Sequence, residues 1–70
     1  MKIHRIVEGH MVTFDKPETR GLFWLLVELA LDEGEVVAVE GHYWTREGDD
    51  FVHLSPDDPQ AQAFAKNALA

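Results

Sequence analysis

The chain has 70 residues, no cysteine and a formal net charge of −7. This length allows one small domain over residues 1–70 and leaves little core from which an enzyme pocket could be carved. The lack of cysteine excludes disulfides, thiol nucleophiles and cysteine-based zinc sites, and it fits a reducing, cytoplasmic setting.

Negative charge is concentrated in the C-terminal part of the chain. Residues 1–27 hold four Lys/Arg and three Asp/Glu, whereas residues 28–70 hold two Lys/Arg and ten Asp/Glu. Binding to a nucleic-acid backbone requires cationic side chains that displace counterions. We therefore expect no direct binding of DNA or RNA. The longest apolar run, residues 22–31, is interrupted by Glu28 and is far shorter than the roughly 20 residues of a membrane span, so no membrane contact is expected.

The first 14 residues have strand composition, because Ile, Val, Thr and Phe dominate them. Ile3, Val7 and Met11 share one alternation phase, and the other phase begins at Ile6. A change of face near residues 8–9 explains both phases. The segment is predicted to be either a tight hairpin or one long strand with a glycine bulge.

Residues 15–34 are predicted to form a helix. Asp15 is the expected N-cap, with Pro17 in the first turn and Glu18 completing a capping box. Gly34 is the expected stop, and Gly21 shifts the start towards residue 22.

Strand composition returns over residues 35–54, with a turn predicted at residues 47–50. A second helix is expected after Ser55 as cap and Pro56 as first helical residue, with Asp57 and Asp58 at its positive end. Its apolar stripe is mostly small: Ala61, Phe64, Ala65 and Ala68. The predicted fold class is α+β, a small antiparallel sheet of three to five strands with two helices, in the order β(β)-α-β(β)β-α.

The segments VEGHMVT and VEGHYWT, which begin at Val7 and Val39, share a repeated motif. Three interpretations fit this repeat: a duplicated strand-helix unit, a metal site, or two bends at Gly9 and Gly41. The metal interpretation pairs His10 with His42, together with His4, His53 or Glu40. No HExxH or His-x-His motif supports it, so we favour the bends and predict no metal and no cofactor.

Catalytic motifs are missing from the sequence. There is no GxSxG motif, phosphate loop or nucleotide fingerprint, and Ser55 is better explained as a helix cap. Paired acids such as Asp49 and Asp50 are typical of solvated turns. We therefore expect no enzyme activity.

The favoured hypothesis is a non-enzymatic module that binds a basic protein through an acidic face. Tyr43 and Trp44 lie within that region and point to opposite faces of a strand, so that one can enter the core and the other can anchor an interface. Glu28 and Asp32 are expected on the same side of the first helix. The predicted partner-binding residues are Glu28, Asp32, Glu33, Glu35, Glu40, Tyr43, Trp44, Glu47, Asp49 and Asp50.

In size and charge alone, the chain resembles small acidic inhibitors such as phage-encoded anti-CRISPR proteins. This resemblance implies a mimic of nucleic-acid charge that blocks a basic nucleic-acid-binding protein or complex. An antitoxin-like regulator of a basic toxin follows the same logic. A solvated acidic surface that serves only solubility also fits the composition.

The competing hypothesis is a homodimeric structural or assembly subunit. Residues 22–31 are apolar nearly all round, and one sheet face in so small a domain cannot cover such a helix. The predicted self-association residues are Phe23, Trp24, Val27 and Leu31.

Overall fold

The computed structural model describes residues 1–17 and 20–69. Within these residues, five strands and two helices follow the order β-β-α-β-β-β-α, which confirms the predicted α+β class. The elements are β1 (Lys2–Val7), β2 (His10–Asp15), α1 (Leu22–Glu28), β3 (Val36–Val39), β4 (His42–Glu47), β5 (Asp50–Leu54) and α2 (Pro59–Leu69).

The strands form an antiparallel sheet in the order β2-β1-β3-β4-β5. β1 and β2 are two arms of a hairpin, paired without a bulge from Lys2 opposite Asp15 to Val7 opposite His10. The hairpin alternative for the first segment is therefore correct. Asp15 was predicted to be a helix N-cap, but it lies in strand β2.

Both copies of the repeat are hairpin turns. Glu8 and Gly9 have φ of 51° and 80°, and Glu40 and Gly41 have φ of 48° and 81°. Positive φ at both central residues is the signature of a type I′ turn, whose twist matches that of the strands it joins. The prediction of two bends is confirmed. The bends lie at opposite ends of the sheet, since Ile3 is opposite Val39 while Val7 leads into the first turn.

Helix α1 is much shorter than predicted. Its N-cap is Gly21 and its C-cap is Leu29. Ala30 then adopts a left-handed backbone with φ of 51°, which ends the helix before the expected stop at Gly34. Asp32 therefore lies in a loop, and its predicted position one helical turn from Glu28 is wrong. Glu18, the predicted capping-box residue, lies outside the described residues.

Helix α2 begins one turn later than predicted. Asp58 is its N-cap, because Asp58 Oδ1 accepts a hydrogen bond of 2.8 Å from the N–H of Gln60. Pro59 is the first helical residue. Ser55 Oγ instead accepts from the N–H of Asp57 at 3.3 Å, in a separate turn before the helix. A Ser-Pro pair and an Asp-Pro pair stand three residues apart, and the second is the helix start.

The helices lie on opposite faces of the sheet. α1 packs Leu25 and Leu26 against Ile3, Val37 and Val39 in the main core. On the other face, α2 contributes Ala61 and Phe64, and the Phe64 ring meets Tyr43 edge-on, with centroids 5.9 Å apart. Ala68, the last residue of the predicted small-residue stripe, has its side chain outside the described residues. No helix in the described ranges has the length and hydrophobicity to cross a bilayer.

Candidate functional site

The predicted acidic surface divides into carboxylates that the fold uses and carboxylates that it leaves in solvent. Four of the ten predicted residues accept hydrogen bonds or form ion pairs: Glu28, Glu33, Glu35 and Glu40. Asp32, Glu47, Asp49 and Asp50 are exposed, and their side chains make no hydrogen bond or ion pair with the described part of the chain. The structure therefore does not present one continuous acidic face.

Glu35 is a structural residue. Its carboxylate accepts two hydrogen bonds of 3.0 Å from the Arg5 guanidinium and one of 3.0 Å from the N–H of Asp32. Arg5 Nη1 also donates to the carbonyl of Leu29 at 2.9 Å. Cations are favourable at this end of a helix, where carbonyls lack intrahelical partners. The Glu35 carboxylate is thus hydrogen-bonded within the domain, and a partner protein cannot bind it without breaking these hydrogen bonds.

A second arginine holds the loop after α1 to the β4–β5 hairpin. Arg46 Nη1 donates to the carbonyl of Leu31 at 2.8 Å, and its Nε donates to the carbonyl of Gly48 at 2.8 Å. Glu33 accepts from the N–H of Gly48 at 2.8 and 3.1 Å, and it lies 4.0 Å from Arg46 Nε. These bonds therefore join the loop and the hairpin turn into one unit.

This unit places five carboxylates at one end of the sheet, which we call the acidic end: Asp32, Glu33, Glu47, Asp49 and Asp50. Glu47 and Asp50 are directly opposite each other in the β4–β5 register. Like charges in that position destabilise a hairpin. The Arg46 guanidinium is the nearby cation in the described residues, and backbone carbonyls occupy two of its nitrogens. The acidic end therefore keeps a strong local negative charge.

A groove runs from the acidic end along α1. It has a volume of about 200 Å³, and its lining includes Val27 of α1 and, from the β4–β5 hairpin, Arg46, Gly48, Asp49 and Phe51. The apolar part of the lining suits the stem of a long side chain, and the Asp49 carboxylate suits a cationic head that stays clear of the Arg46 guanidinium.

The predicted self-association residues have two different environments. Phe23, Trp24 and Val27 are 51%, 48% and 42% exposed, and we call these three residues the apolar patch. Leu31 is only 3% exposed because it follows the left-handed turn at Ala30 into the core. Its predicted place on an outer surface is therefore wrong.

Tyr43 and Trp44 point to opposite faces of β4, as predicted. Tyr43 is opposite Ala38 and contacts Phe64 of α2, while Trp44 is opposite Val37 and packs against the main core. Both are half-buried. Trp44 Nε1 is buried and has no hydrogen-bond partner among the described residues. Neither ring stands free on the surface as an interface anchor.

The histidines of the repeat do not meet. His10 and His42 follow turns at opposite ends of the sheet. His42 instead approaches His53, with ring centroids 5.5 Å apart, and the ring of Trp44 lies 4.9 Å from that of His53. Within residues 1–17 and 20–69, no three His, Cys, Asp or Glu side chains come together as metal ligands.

The structural roles of Arg5 and Arg46 were not predicted from the sequence. Both bind carbonyls of the segment that ends α1, from positions 24 and 15 residues distant in the chain. Arg46 carried one clue, since it is the only arginine in residues 28–70. No sequence feature indicated the role of Arg5, because local patterns do not report contacts between residues so far apart in the chain.

No family model, curated protein or solved structure matches the chain.

Proposed function

We propose that this protein is a non-enzymatic binding module that holds a basic segment of a partner protein at the acidic end. The observation that carries the proposal is the joining of the α1–β3 loop to the β4–β5 turn by hydrogen bonds of Glu33, Gly48 and Arg46. These bonds hold the backbone of the segments that carry the exposed carboxylates, so less backbone entropy is lost when a cation binds there. They also raise association rates with basic partners by electrostatic steering.

The groove beside the acidic end supplies an apolar component. Val27, which is exposed, and Phe51, which is half-buried, line this groove together with Asp49. Charge alone gives rates and long-range attraction, whereas buried apolar anchors account for most of the binding energy at protein interfaces. The expected ligand is therefore a short segment that combines Lys or Arg with one apolar side chain.

Mimicry of nucleic-acid charge is a narrower form of this function and receives less support. A phosphate-like array needs carboxylates spread across a wide surface, but Glu28, Glu35 and Glu40 are engaged within the domain. The exposed acids are grouped mainly at one end of the sheet. An inhibitor or antitoxin-like regulator that grips one basic segment fits this arrangement better than a broad mimic.

The test compares two double charge reversals with the same net charge. Asp49→Lys and Asp50→Lys change the acidic end, whereas Asp15→Lys and Asp57→Lys change exposed acids at the opposite end of the sheet. Binding of a fluorescent peptide of alternating Lys and Leu is measured at low salt. We expect the first variant to lose at least about tenfold in affinity and the second to bind like the parent. Equal losses would show that only bulk charge matters, and equal retention would exclude the acidic end.

A second candidate is a homodimeric assembly subunit. It is favoured by the apolar patch, in which three large side chains on α1 are about half exposed. Large aromatic side chains are typical of the buried centre of interfaces. Light scattering at rising concentration tests it, with Trp24→Glu as the variant expected to abolish the dimer.

A further inference from the structure

Strand β5 is an unprotected edge. It pairs with β4 through five consecutive residues without a bulge, and no strand of the described residues pairs with its outer side. Its sequence, DFVHL, contains no lysine and no proline. Natural proteins usually protect such edges with these residues or with bulges, because the free N–H and C=O groups pair readily with another strand.

Apolar side chains flank this edge on both faces. Val52 is 38% exposed on the α2 face. On the α1 face, Phe51 contacts Phe23 with centroids 5.7 Å apart, and Phe23 contacts Trp24 with centroids 5.5 Å apart. The apolar patch is therefore continuous with the open edge, and an occupant that pairs with β5 can also cover the aromatic rings.

We propose that a second copy of the chain occupies this edge by antiparallel pairing of β5 with β5, about a two-fold axis at Val52. This arrangement goes beyond the binding function of the acidic end and deepens the second candidate above. A two-fold axis perpendicular to the sheet keeps the faces aligned, so residues of equal parity become opposite. Val52 then meets the partner's Val52, and Phe51 meets the partner's His53.

The same axis places the two α1 helices on one side of the joint sheet. Phe23 lies over Phe51, one residue from the axis along β5. The two copies of the apolar patch therefore flank the seam and cover its aromatic pairs. Aromatic pairs across antiparallel strands are stabilising. One occupant thus satisfies both the free backbone groups and the exposed rings.

The charge distribution fits this register. Asp50 faces the partner's Leu54 in place of a second carboxylate. The two acidic ends lie at opposite ends of the seam, about 17 Å apart for five antiparallel residues. That separation is roughly twice the Debye length at physiological salt, so their mutual repulsion is largely screened. A parallel arrangement would bring the acidic ends together.

The test is sedimentation equilibrium up to about 500 µM protein in about 0.5 M NaCl, where repulsion between the copies is screened. We expect the parent to approach twice its 7.9 kDa mass. Val52→Lys sets two ammonium groups on the axis and is expected to remain monomeric. Val12→Lys is the matched control, because Val12 is 39% exposed on the opposite edge strand β2, and it is expected to dimerise like the parent.

Amide hydrogen exchange supplies a readout that needs no variant. Backbone N–H groups of β5 are expected to exchange more slowly at high protein concentration, while those of β2 stay unchanged. A parent that remains monomeric, a Val52→Lys variant that still dimerises, or protection confined to β2 would overturn the proposal. If Trp24→Glu splits a dimer that Val52→Lys leaves intact, self-association stands and this seam is wrong.

Salt separates this proposal from the binding function. Dimerisation of two chains of charge −7 is expected to strengthen as salt rises, whereas binding of a basic peptide at the acidic end weakens. If either dimerisation or peptide binding is not observed, the other can therefore still be measured in the same protein.

Discussion

Arg5 and Glu35, thirty residues apart in the chain, form a two-point ion pair that ties the loop after α1 to strand β1. Their side chains are 21% and 17% exposed. Two parallel hydrogen bonds give an arginine-carboxylate pair geometric specificity as well as energy. The Glu35 carboxylate also accepts a hydrogen bond from the N–H of Asp32, which is the first residue of the acidic end.

Removal of the Glu35 charge is expected to destabilise the fold. Glu35→Gln should lower the free energy of unfolding by about 1–3 kcal/mol, because the Arg5 guanidinium stays largely buried and loses its counter-charge. Urea unfolding followed by tryptophan fluorescence measures this. Glu47→Gln is the control, since Glu47 is exposed, and its expected change is within about 0.5 kcal/mol. Equal effects of both substitutions would contradict the structural role of Glu35.

The two type I′ turns provide a matched pair of substitutions. Glu8→Asn should raise the free energy of unfolding by about 0.5–1 kcal/mol, because Asn tolerates a left-handed backbone better than Glu. Glu40→Asn should gain less, since Glu40 Oε1 accepts a hydrogen bond of 2.9 Å from the N–H of Lys2. Thermal unfolding of both variants tests this. A larger gain at Glu40 would show that this hydrogen bond contributes nothing.

Ala30 marks the end of α1, and glycine should be better there. Its φ of 51° favours a residue without Cβ, so Ala30→Gly is expected to stabilise the protein by up to about 1 kcal/mol. The same substitution in the interior of α2, Ala63→Gly, should destabilise by about 1 kcal/mol. Chemical denaturation compares the two. Destabilisation by both would mean that α1 continues past Ala30 in solution.

The start of α2 can be located by alanine substitution. Asp58→Ala should cost about 0.5–2 kcal/mol of stability, because the N–H of Gln60 loses its acceptor. Ser55→Ala should cost less, since its bond to the N–H of Asp57 is 3.3 Å long and lies outside the helix. Measuring the free energy of unfolding of both variants under the same conditions shows which residue caps α2. A larger cost at Ser55 would restore the helix start predicted from the sequence.

Local patterns were sufficient for the order of the elements and for the bends of the repeat. Strand composition, turn glycines and helix-capping residues act over four or five neighbours, and the sequence displays such neighbours directly. The same patterns misplaced the helix ends. Asp15 has good capping chemistry, but its pairing opposite Lys2 keeps it in β2. Ser55-Pro56 and Asp58-Pro59 are equivalent as sequence signals, and only the folded chain shows that the second begins the helix.

The candidate site shows the same division. Composition alone determined that the chain is acidic and that its negative charge lies after residue 27. The tertiary structure decided which carboxylates remain in solvent, because Glu33, Glu35 and Glu40 accept hydrogen bonds from residues 15 to 38 positions away in the chain. It also decided that Leu31 enters the core while Trp24 stays outside. Ion pairs and burial depend on distances across the folded chain, which sequence order does not contain.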